Sequence, residues 1–331
     1  MTDAQPDAGG KRVIGLTAET PASKAARRAI AARLDAVRTA LTAAGDWRAD
    51  AEPVHHLRVA SRRASAALDV FANLLPGRTN RKARKALKRL RRAAGAARDA
   101  DVFLDGVRGW AVHQSPADRP GLHFVLGHVF AERQNAQIEL DVILDRWQAG
   151  IMARFDDLPE KVRNGKRESL GEWAVTVLAG LLDDLSAAAS ADLDNYAQLH
   201  AVRILAKRLR YAIELFIDCF PPAVIEQVYP RVEAVQDVLG AANDSYQASR
   251  RLDELLKVLG STQPALRDLA RGGIEGLRAY HRQRVRDQRA AFGDWWRTWQ
   301  SIRPESLLSC VSPPDKQAAA TDSVVRSPVG Q

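Results

Sequence analysis

Long stretches of the chain place apolar residues three and four apart, with charged residues filling the positions between. That period of about 3.6 residues is helical. It predicts helices over about 21–44, 53–75, 81–113, 120–155, 168–190, 196–219, 222–258 and 264–299. Turn residues break the pattern at Pro76-Gly77, Ser115-Pro116, Asn164-Gly165 and Pro221-Pro222. No segment alternates with period two, so the prediction is an all-α chain. Residues 1–20 mix Gly, Asp, Thr and Pro without period, and residues 303–331 carry Ser, Pro, Gln and Ala with few apolar residues. Both ends read as disordered.

A single shift of 145 residues superimposes one half of the sequence on the other. His55 falls on His200, Arg58 on Arg203, Arg62 on Lys207 and Arg63 on Arg208. Asp69 falls on Glu214, Phe71 on Phe216, Pro76 on Pro221, Gly95 on Gly240 and Asp99 on Asp244. The period is too long for a solenoid unit. It predicts a four-helix repeat at 21–155 and a second at 166–300, two bundles related by a pseudo-twofold axis.

On a helical wheel, Leu57, Ala60, Ala64, Ala67, Leu68 and Phe71 share one side, and His55, Arg58 and Arg62 the other. In the second repeat His200, Arg203, Lys207 and Arg210 lie opposite Val202, Leu209, Ile213 and Phe216. One such stripe is usually a solvated face. Repeats diverge freely at neutral surface sites, so a His-x-x-Arg-x-x-x-basic stripe kept in both halves argues for use. Facing each other across a twofold axis, the stripes would line a basic channel, where crowded cations repel unless an anion neutralises them.

Composition sharpens that expectation. The 331 residues hold 49 Lys plus Arg against 40 Asp plus Glu, a formal net charge of +9. Only ten of the cations are Lys, and the planar fork of Arg suits phosphate oxygens. Eight of the twelve residues at 81–92 are cationic and none is acidic, whereas the equivalent segment 226–237 has one Arg and three acids. This asymmetry adds Lys85, Lys88 and Arg92 to the candidate phosphate ligands, on a path by which a ligand leaves the channel along the first repeat.

Other chemistry is missing. The sequence has no Gly-rich phosphate loop, no GxSxG elbow and no His-Glu-x-x-His. His123 and His128 do not share a helix face, and Arg beside His55 and His200 opposes a metal cation, so no metal or other cofactor is expected. Asp99 and Asp244 read as partners for helix-borne Arg rather than catalytic acids, and Trp295, Trp296 and Trp299 as packing. Cys219 and Cys310 make no disulfide framework, which suits a reducing compartment. No apolar run reaches the roughly 18 residues of a membrane span, and the first dozen residues lack the apolar segment of a secretory signal. The expected location is the cytoplasm.

The segment Val54-His55-His56-Leu57-Arg58-Val59-Ala60-Ser61-Arg62-Arg63, with Gly95-Ala96-Ala97-Arg98-Asp99-Ala100-Asp101-Val102, resembles the CHAD family, the conserved histidine α-helical domain. The second repeat matches through Leu199-His200-Ala201-Val202-Arg203 to Tyr211, and through Gln236-Asp237-Val238-Leu239-Gly240-Ala241-Ala242-Asn243-Asp244. The resemblance covers about 20–300. It implies paired four-helix bundles around a basic channel that binds inorganic polyphosphate, and association with polyphosphate granules and their proteins. The ligands it implies are His55, Arg58, Arg62 and Arg63, with His200, Arg203, Lys207 and Arg208. The sequence departs from strict repetition at Ser65 against Arg210 and at Arg98 against Asn243. Some relatives carry a CYTH triphosphatase domain, but its Glu-x-Glu-x-Lys signature is absent here, so no hydrolysis is inferred.

The expected function is therefore noncatalytic polyphosphate binding without a membrane. The main rival is a helical nucleic-acid-binding protein. It is disfavoured because single-stranded nucleic-acid binders interleave aromatics with cations, and the stripes contain almost none, Tyr211 being nearest. A phosphate-processing enzyme would need a carboxylate cluster to hold divalent metal.

Overall fold

The computed structural model describes residues 11–44, 52–112, 114–164, 168–191, 195–302 and 308. The expected disorder of 1–10 and of the tail beyond 302, Cys310 included, lies outside the described residues, Leu308 aside. The described residues are all-α, with eight long helices: α1 Ala22–Ala43, α2 Glu52–Val70, α3 Gly77–Ala111, α4 Arg119–Arg146, α5 Leu170–Ala189, α6 Tyr196–Phe216, α7 Pro222–Thr262 and α8 Pro264–Ser301. Among the described residues the β-type pairing is an isolated bridge between Pro21 and Ser169.

Two helix ends fall short of the expected spans for the same reason. α2 and α6 each close in a 3-10 turn, at Ala72–Leu74 and Ile217–Cys219. Leu75 and Phe220 are then extended, because the ring of the next proline disfavours the helical region for the residue before it. α4 ends nine residues early in a π-turn where Gly150 takes φ 147°, a conformation nearly closed to other residues.

Residues 11–20 depart from the expected disorder. Val13 and Leu16 are buried, Arg33 and Arg28 donate to the carbonyls of Lys11 and Gly15, and Thr20 O accepts from Leu170 N at 2.7 Å. The segment straps the start of α1 to the start of α5.

Each helix of the first half touches its counterpart in the second: α1 meets α5, α2 meets α6, α3 meets α7 and α4 meets α8. The buried apolar residues sort by level along the helices rather than by half. One large cluster takes α1, α2, α5, α6, the first parts of α3 and α7, and the ends of α4 and α8, with Phe292 and Trp299 in it. The other takes the rest of α3, α4, α7 and α8. On α3 the clusters part between Ala97 and Ala100, and on α7 between Ala242 and Ala248. That gap in the apolar packing is where polar side chains collect.

Candidate functional site

A cavity of about 890 Å³ opens at this level. Its walls draw on His55, Arg58 and Arg62 of α2, and on Arg203 and Lys207 of α6. α3 adds Arg98 and Asp99, α7 adds Asp237, Asp244 and Arg251, and α8 adds Tyr280, His281 and Arg284. Spacings of three and four on α2, and of four on α6, turn the basic residues to one side, because Val54, Leu57, Ala64 and Leu68, like Val202, Ala206 and Leu209, are buried on the other. Seven lining residues are Arg or Lys and four are Asp or Glu.

The cations act on one another. Burial, then Arg62, pulls Arg58 below its ordinary pKa, with Asp99 at 3.3 Å and Asp244 in partial compensation. Burial lowers Arg203 too, against the raising effect of Asp244. A guanidinium keeps its proton through this. An ammonium does not: burial, then Arg203, Arg62 and Arg58, pushes Lys207 down to about 6. His55 is also lowered, first by burial and then by Arg98. It therefore offers a neutral imidazole near pH 7.

Backbone shape matters at one point. A Cβ on Gly95 would collide with the guanidinium of Arg58, so glycine there lets Arg58 lie flat against α3. The repeat equivalent, Gly240, faces open space.

Of the sequence-derived candidates, the structure brings His55, Arg58, Arg62, Arg203 and Lys207 together on the cavity. The others lie elsewhere. Arg63, which the resemblance implied as a phosphate ligand, is buried and pairs with Glu214 at 2.7 Å. Arg210 is tied to Glu214 at 3.0 Å and to Glu233 at 2.8 Å, so α7 closes the stripe that the wheel drew open. Arg208 is exposed near Asp69. His200 packs its ring on Tyr196, which stacks on Tyr246. Lys85, Lys88 and Arg92 stand exposed on the outside of α3.

Sequence reasoning missed Arg98, Arg251, His281 and Arg284 as wall residues. Arg98 sits in the Gly95–Asp99 stretch that carried the family resemblance, a usable signal. The three on α7 and α8 fall opposite Gly106, Ala136 and Glu139 in the repeat, so the offset could not reveal them.

The CHAD domain family model matches residues 18–253, and the chain belongs to this family. No curated protein matches the sequence. Among solved structures, the CHAD domain from the plant Ricinus communis is 23% identical, with TM-score 0.63, covering 91% of this chain and 93% of that one. PptA from Streptomyces chartreusis is 19% identical, with TM-score 0.69, covering 84% of this chain and 99% of that one. At these identities the likeness concerns the fold. Among the described residues no helix is long and apolar enough to cross a membrane.

Proposed function

We propose that the chain binds inorganic polyphosphate, without catalysis, in the cavity between its two helical repeats. One observation carries the reading. Arg58 and Arg62 from α2 converge with Arg203 and Lys207 from α6 on one cavity, under repulsion that, added to burial, holds Lys207 near 6. Cations gathered this way in a partly desolvated space store unfavourable energy, and a polyanion releases it. Counterions condensed on that polyanion are freed at the same time, as they are from DNA. Membership of the CHAD family and the helix-to-helix contacts between halves support a pseudo-twofold arrangement around a basic channel.

Two rivals are weaker on specific grounds. Base stacking would need open aromatic faces, but Arg251 covers Phe103 at 5.1 Å and Arg284 covers Tyr280 at 5.5 Å. Metal-assisted hydrolysis would need carboxylates directed at a divalent cation. Asp99 instead pairs with Arg58, and Asp244 lies among Arg58, Arg203 and Lys207. In the cell this reading places the protein on cytoplasmic polyphosphate granules, in the company of granule proteins. Retention on immobilised polyphosphate, DNA and RNA at matched phosphate concentration tests it. Preferential retention on polyphosphate is expected, and a preference for either nucleic acid would reverse the assignment.

A further inference from the structure

α2 and α3 run antiparallel in a fixed register. Arg58 lies against Gly95, Arg62 near Arg91, and Asp69 against Arg84. The same register sets Ser65 across from Lys88. α6 and α7 repeat the arrangement, with Arg210 on Glu233 and Glu214 on Tyr229. Two seams therefore lead outward from the cavity, one beginning at Arg62 and the other at Lys207.

The seams differ in charge. On α6–α7 the Arg210 guanidinium donates to Glu214 Oε1 at 3.0 Å, to Glu233 Oε1 at 2.8 Å and to Gln236 Oε1 at 3.2 Å. Tyr229 O–H donates to Glu214 Oε1 at 2.9 Å, and Lys11 Nζ donates to Glu233 at 3.1 Å. Carboxylates and cations neutralise each other there, leaving nothing for a phosphate chain to displace cheaply. On α2–α3 the corresponding residues are Ser65, Lys88, Asp69 and Arg84. Asp69 is the single acid among them, and Arg84 holds it. Arg91 is half-buried beside Arg62, and beyond it Lys88, Lys85 and Arg92 stand in solvent on a stretch with no acid at all.

The geometry points to the α2–α3 seam as an exit track for long polyanion chains: a chain held in the cavity passes over Arg62 and Arg91 and continues outside along Lys88, Lys85 and Arg92, while Glu214 and Glu233 shut the α6–α7 seam. The inference rests on the cavity reading and adds direction and length preference to it. Each phosphate beyond the cavity meets a further cation without a new association cost.

The test compares long-chain polyphosphate with tripolyphosphate on the full chain. The variant is Lys85→Glu/Lys88→Glu/Arg92→Glu. The control is Lys257→Glu/Arg286→Glu/Arg297→Glu, exposed residues elsewhere with the same change in net charge. Relative to the control, the seam variant should weaken long-chain binding about tenfold or more and reduce its salt slope by about two to three units. Tripolyphosphate binding should fall no further than in the control. Equal long-chain losses in the two variants would overturn the track. So would a seam variant that loses tripolyphosphate as severely as the long chain. Arg58→Glu retaining full tripolyphosphate affinity would instead overturn the cavity reading, and the track with it.

Discussion

Arg63 of α2 and Glu214 of α6 form a buried two-pronged ion pair, Nε to Oε2 at 2.7 Å and Nη2 to Oε1 at 3.3 Å. Their repeat counterparts, Arg208 and Asp69, also lie close to each other. Arg63 thus reaches across to the other half, whereas Asp69 is ion-paired within its own half by Arg84. The Arg63–Glu214 clasp is buried, and Arg208 is exposed.

That contrast predicts unequal costs. Glu214 also accepts from Arg210 and Tyr229, so Glu214→Gln leaves a buried guanidinium without its counter-charge. The expected loss of stability is about 3–5 kcal/mol. Asp69→Asn, at a half-buried carboxylate, should cost only about 0–1 kcal/mol. Urea unfolding at pH 7 measures both, and equal losses would contradict the buried clasp.

On the proposed reading, Lys207 should make binding depend on pH. Its ordinary pKa is 10.5 and the folded, unliganded value is about 6, so the unfolded chain holds the proton more tightly. The contribution of Lys207 to stability is therefore full above about 10 and lost as pH falls towards 6. Lys207→Met should raise the melting temperature of the unliganded protein at pH 7. A bound polyanion favours the ammonium, so binding at pH 7–8 should take up a proton, and affinity should fall as pH rises. Titration calorimetry in two buffers of different ionisation enthalpy reads the uptake directly. Unchanged uptake in Lys207→Met would assign the proton elsewhere.

The two equivalent glycines should behave oppositely. Gly95→Ala drives a methyl into the Arg58 guanidinium and should weaken polyphosphate binding about tenfold, the effect of displacing one charge-assisted contact. Gly240→Ala, on the cavity wall with no atom near the added methyl, should stabilise by about 0.5–1 kcal/mol and weaken binding less than Gly95→Ala. Binding and thermal melts on both variants check this, and matching affinity losses would contradict it.

The helices were legible because their apolar periods are long and their breaks are prolines. The 145-residue offset in the sequence also aligns Arg58 with Arg203, and Arg62 with Lys207. Which neighbour each stripe would meet was not legible. Arg210 lies seven residues from Arg203, on the same helical face, yet α7 sets Glu233 against it where α3 would set Lys88. Arg63 looked like one more cation in a basic run until α6 supplied a buried carboxylate. Arg251, His281 and Arg284 reach the cavity through the packing of α7 on α8, which no local pattern encodes. The stripes gave the charge, and tertiary contacts decided which charges are already spent.

The central claim is that cations from both halves act on one polyanion. Its most direct measurement is the affinity for long-chain polyphosphate against salt concentration, for the wild type, Arg58→Glu and Arg203→Glu. The account predicts that log affinity falls linearly with log salt, with a slope of several units, and that either single reversal abolishes binding near physiological salt. Salt-independent binding, or a reversal in one half that leaves binding intact, would contradict it.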